Sequence, residues 1–70
     1  MNWIETPESS NIARFAYDSA SSTLVVDFLK GGVYNYFDVP EAVFEQMKAA
    51  PSKGQFLAQS VKGVYRYARA

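Results

Sequence analysis

Two alternating runs, Thr23–Leu29 and Val33–Phe37, face each other across the turn Lys30-Gly31-Gly32, and this arrangement constrains the fold more than any other part of the chain. In the first run Leu24, Val26 and Phe28 point one way and Val25, Asp27 and Leu29 the other, the two-residue period of a half-buried strand. Adjacent glycines readily supply the positive φ angles of I′ and II′ turns, so the two runs read as a β-hairpin. Upstream, Ile12–Tyr17 is a further candidate strand, with Ala13, Phe15 and Tyr17 on one face and Ile12, Arg14 and Ala16 on the other. The polar turn Asp18–Ser22 joins it to the hairpin, which gives a three-stranded antiparallel meander.

Helical signals follow the meander. Pro40 suits the first helical position, Glu41 the positive end of the helix dipole and Lys48 the negative end. Val43, Phe44, Met47 and Ala50 make one apolar stripe, and Pro51 ends it. Ser52 and Gln55 have capping-box spacing and open a second helix, Lys53–Val61, that buries Phe56, Leu57 and Val61. Gly54 weakens that helix by up to about 1 kcal/mol against alanine, so a local reason for the glycine is expected. Gly63 reads as a C-cap. Val64–Tyr67 is a short fourth strand or an extended tail; the strand is favoured because Tyr65 and Tyr67 need burial. Residues 1–8 read as a leading arm, with Trp3 and Ile4 folding back on the core.

The predicted fold is therefore α+β: a three-stranded antiparallel meander followed by two short helices, with a short C-terminal strand as an optional fourth. The predicted core is Ile12, Phe15, Leu24, Val26, Phe28, Tyr34, Val39, Val43, Phe44, Met47, Phe56, Leu57 and Val61. Seventy residues make a single domain, 1–70, of a size that buries only about 60% of its unfolded surface. The chain has no cysteine and no histidine, which excludes disulfides, the common zinc-ligand sets and the usual nucleophile–base pairs. Glu41 and Glu45 lie one turn apart on a solvent face, and Asp18, Asp27 and Asp38 lack calcium-loop spacing. No enzymatic activity, cofactor or metal is expected. No apolar run approaches the roughly 20 residues of a membrane helix, and Met1–Glu5 lacks the basic start of a signal peptide. A cytoplasmic location is the expectation, with no membrane partner.

Zero net charge hides an asymmetry. Residues 1–45 hold all seven acids with Arg14 and Lys30; residues 46–70 hold five cations and no acid. The pentapeptides Gly32-Val33-Tyr34-Asn35-Tyr36 and Gly63-Val64-Tyr65-Arg66-Tyr67 each place two tyrosines on one strand face, roughly 7 Å apart. Paired tyrosines either complete a small core or make an aromatic platform of the kind single-strand RNA binders use. Beside them, Pro51-Ser52-Lys53-Gly54-Gln55-Phe56 opens a helix whose free N–H groups, with Lys53 and a permissive Gly54, suit either an ordinary cap or a phosphate contact. It is not a Walker A loop, since the upstream glycine is missing and the lysine precedes the glycine.

Ser9-Ser10-Asn11-Ile12, Tyr17-Asp18, Leu24–Phe28, Gly32–Pro40 and Ala50–Phe56, in this order and spacing, resemble the KTSC domain family over roughly residues 8–67. That resemblance places Tyr34 and Tyr36 at the family's central tyrosine-x-tyrosine motif. It implies kinship with the C-terminal segment of some lysyl-tRNA synthetases and with small bacterial and phage proteins. By analogy it implies nucleic-acid binding. Asn35 stands where a basic residue is common in the family, so only the second tyrosine motif carries its cation, Arg66. The expected function is weak binding of RNA, tRNA or single-stranded nucleic acid. Lys53, Lys62, Arg66 and Arg69 would contact phosphates, Gly54 would allow close approach, and Tyr36, Tyr65 and Tyr67 would stack on bases. The alternative is a protein-interaction or self-association module, and the expected state is a monomer or homodimer.

Overall fold

The computed structural model describes residues 1–70. Five strands form one antiparallel sheet in chain order: β1 Ile4–Glu5, β2 Ile12–Asp18, β3 Thr23–Phe28, β4 Gly32–Tyr36 and β5 Tyr67–Arg69. Two helices, α1 Glu41–Ala49 and α2 Lys53–Ser60, lie between β4 and β5 in sequence and cover one face of the sheet. The expected meander and helix pair are present. The leading arm adds an unforeseen edge strand, and the final strand starts at Tyr67 rather than Val64.

Strict alternation would put Ile12 and Phe15 on opposite faces. Both are fully buried in one core, and a β-bulge is the reason. Ile12 pairs with Phe28 and Arg14 with Asp27, so Ala13 is an extra residue that turns Ile12 onto the face of Phe15, Val26, Leu24 and Tyr36. The bulge leaves ladder carbonyls to satisfy. Thr6, itself buried, takes both: its N–H donates to the Ala13 carbonyl at 3.1 Å and its hydroxyl to the Ile12 carbonyl at 2.7 Å. The arm is thereby tied to the sheet. Ile4 packs against the core opposite Phe15, while Trp3 carries the Arg14 guanidinium 4.2 Å from its ring centroid.

The β3–β4 connection spans Leu29–Gly31, and only Gly32 takes a positive φ, 82°. A three-residue loop closed by one left-handed residue thus replaces the expected two-glycine turn. Pro40 stands one position before α1 as its extended cap rather than inside its first turn. Phe44 fastens α1 to the sheet, meeting Phe15 edge-on at 5.8 Å and stacking on Tyr17 at 5.1 Å. The Tyr17 hydroxyl donates to the carbonyl of buried Val39, which fixes where the chain turns into that helix. Met47, Leu57 and Val61 complete the core; Phe28, Tyr34, Val43, Phe44 and Phe56 pack against it half-buried.

Thr6→Val keeps the shape and removes the hydroxyl donor. The buried Ile12 carbonyl then lacks that partner, at an expected cost of about 1–3 kcal/mol. Urea unfolding should show a lower midpoint with an unchanged slope; an unchanged midpoint would mean that the arm is not anchored through this bond.

Candidate functional site

The two tyrosine motifs meet at one edge of the sheet. Tyr36 pairs directly with Tyr67 across β4 and β5, and Tyr34 with Arg69, so all four side chains leave the same face. Tyr67 lies 5.6 Å from Tyr34 and 5.8 Å from Tyr36, centroid to centroid, tilted 41° to each. Gly63, like Gly32, holds a positive φ, 79°. The second motif nevertheless reaches the sheet only at Tyr67, and Tyr65 turns away to pack half-buried against the core.

Beside these rings the helical layer stops, and a cleft of about 690 Å³ opens between the β3–β4 turn, the sheet edge and the end of α2. Phe28, Leu29 and Tyr34 give it apolar walls, and Lys30, Lys62 and Asn11 give it polar ones; no acid lines it. The Lys62 ammonium lies 5.1 Å from the Phe28 ring centroid. Arg69, paired across the sheet with Tyr34, packs over Gly32, where an added Cβ would stand 3.5 Å from its guanidinium.

The late-chain cations do not form a single surface. Arg14 pairs with Asp27, Lys48 with Glu45 and Arg66 with Asp38, at 3.0–3.1 Å. Lys53 donates to the Ala50 carbonyl at 2.9 Å, on the far side of Asn11 from the cleft. Of the other three cations, Lys30 and Lys62 line the cleft, and Arg69 lies outside its lining, over Gly32. Sequence reasoning missed Lys30 because it was counted with the acidic half. The signal available was its place in the turn beside Phe28 and Tyr34.

Other expected contacts are also relocated. Tyr36 is only 3% exposed, so its ring has no free face and cannot stack on a base. Its hydroxyl has no protein partner and is not an orphaned buried atom, which leaves it opening into the cleft. Burial raises the Tyr36 pKa above its ordinary value of 10.0, and the neighbouring phenols Tyr34 and Tyr67 add to the rise. Arg66 and Tyr65 line a separate shallow hollow with Phe37. At Gly54 the close approach is already used: an added Cβ would stand 2.7 Å from Asn11 Oδ1. Ser52 does cap α2 by accepting from the Gln55 N–H, but the glycine serves packing against Asn11. Tyr67, 61% exposed, is the ring of the trio with an open face.

Two outcomes check this geometry. Gly54→Ala should stabilise the protein by about 0.5–1 kcal/mol when Asn11 is also alanine, the helix-propensity gain, and by clearly less in the wild-type background. Equal gains in both backgrounds would refute the steric reading. Because the folded-state pKa of Tyr36 is raised, its stabilising contribution is complete below pH 10.0 and is lost as pH rises through the folded value. The urea midpoint should therefore fall above that pH, and the fall should be shallower in Tyr36→Phe; parallel curves would contradict the assignment.

The profile of the KTSC domain family matches residues 8–65. The chain is 44% identical over 61 residues to a lysine–tRNA ligase of Trichormus variabilis and 43% identical to one of Nostoc punctiforme, in each case over 87% of its own length. It spans 11% of the length of those ligases. A protein of Tsukamurella paurometabola is 41% identical over 84% of this chain and 88% of its own. The crystal structure of a KTSC domain protein from Yersinia pestis superposes with a TM-score of 0.93 at 29% identity, covering 99% of this chain and 96% of that one.

Proposed function

The chain belongs to the KTSC domain family, and from that membership and the cleft we propose that it is a small non-enzymatic module that binds single-stranded RNA, such as an unpaired stretch of tRNA. The observation that carries this reading is the sorting of charge. Three cations are matched by acids, a fourth caps a carbonyl, and of the remaining three Lys30 and Lys62 line an aromatic cleft that no acid lines, with Arg69 near by over Gly32. A local positive field beside a stackable ring is what a phosphate-and-base contact requires, whatever the net charge of the whole chain. The kinship to lysine–tRNA ligases supports tRNA as the RNA class.

Tyr67 supplies the stacking face, and Lys30, Lys62 and Arg69 meet phosphates. Stacking on one ring contributes about 1–3 kcal/mol. Three phosphate contacts to a single strand give a log–log salt slope near −2. The interaction is accordingly weak and strongest at low salt. A protein-contact reading draws on Leu29 and Val64, 56% and 61% exposed, and predicts self-association in sedimentation without RNA affinity.

Fluorescence anisotropy with a labelled single-stranded RNA measures both quantities. Tyr67→Ala should weaken binding about tenfold. Lys62→Ala should flatten the salt slope by about 0.7, and Lys53→Ala should leave it unchanged. Absence of binding at low salt, or equal flattening in the two lysine variants, contradicts the proposal.

A further inference from the structure

Resting on that reading, we propose that the cleft seats one nucleobase at a time, its face on Tyr67 and its edge toward the hydroxyls of Tyr34 and Tyr36, with the flanking phosphate on Lys30 or Lys62. A platform that reads two or three stacked bases presents several rings with free faces. This sheet does not. Tyr36 is buried to its hydroxyl. Tyr34 is half-buried, perpendicular to Phe28 at 89° and 5.5 Å and 5.6 Å from Tyr67, so it walls the cleft rather than offering a free face. One open ring, Tyr67, holds one base.

The cleft has the dimensions for this. At about 690 Å³ it lies within the range of small-molecule sites, roughly 300–1,000 Å³. Its chemistry is divided accordingly. The apolar side of Phe28 and Tyr34 suits a base, and the lysines at the mouth suit a phosphate. Phenol hydroxyls both donate and accept, so they can meet the mixed hydrogen-bonding edge of a base. The Tyr36 hydroxyl makes no bond within the protein, and the Tyr67 ring lies 5.6 Å from Tyr34 and 5.8 Å from Tyr36, centroid to centroid. A polar group held on a buried ring loses little freedom when it binds, which makes it a discriminating contact.

Competition against a labelled single-stranded RNA tests the idea, with 5′-mononucleotides, nucleosides and ribose 5-phosphate as competitors of the full chain. Mononucleotides should displace the RNA completely, nucleosides more weakly, and ribose 5-phosphate hardly at all. Tyr36→Phe, which keeps the packed ring, should weaken mononucleotide binding about fivefold, the worth of one hydrogen bond. If RNA binds but mononucleotides fail to compete, or ribose 5-phosphate competes equally well, the single-base pocket is wrong while RNA binding stands. If the RNA itself does not bind, both fall.

Discussion

The architecture depends on how two short helices cover a wider sheet. At nine and eight residues, α1 and α2 bring Val43, Phe44, Met47, Phe56 and Leu57 against the core of Ile12, Phe15, Leu24, Val26 and Tyr36. The helical layer is anchored at the β2 side by Phe44 against Phe15 and Tyr17. At the other edge β5 is left uncovered, with every residue exposed, while Tyr36 of β4 is still buried. The aromatics at that end pack on one another instead, and the cleft is the space above them. Site and fold therefore share one cause.

The bulge at Ala13 has a similar reach. By bringing Ile12 and Phe15 to one face it enlarges the core at the β2 end, which a domain without disulfide or metal needs. Its freed carbonyls recruit Thr6, and Thr6 carries β1 with it. A local irregularity in one strand thus orders the first residues of the chain.

Elements with a strong local period were legible from the sequence. The alternation of Leu24, Val26 and Phe28, the apolar stripe of α1, the Ser52 cap and the buried Leu57 and Val61 all stand where side-chain spacing puts them. What failed to show was set by partners distant in sequence. Alternation cannot announce a bulge, so it puts Ile12 on the wrong face. A two-residue strand such as Ile4–Glu5 has no period at all. At the cleft, Lys62, Tyr67 and Arg69 were legible as cations beside aromatics. The burial of Tyr36, the pairing of Arg66 with Asp38 and the tethering of Lys53 to Ala50 were not, because each is fixed by tertiary contact. Counting charge by halves of the chain hid Lys30, which the hairpin carries to the same opening as Lys62.

Neutral composition and a local positive field are thus compatible, since acids and cations sort by position rather than cancel uniformly. The most direct measurement of this account is an amide chemical-shift map of the protein on addition of single-stranded RNA at low salt. The account requires shifts at Asn11, Phe28–Gly31, Tyr34, Lys62, Gly63 and Tyr67, with Ser52–Gln55, Arg66 and the Trp3–Arg14 side unmoved. Shifts centred on the start of α2 or on the opposite sheet face, or none at all, would contradict it.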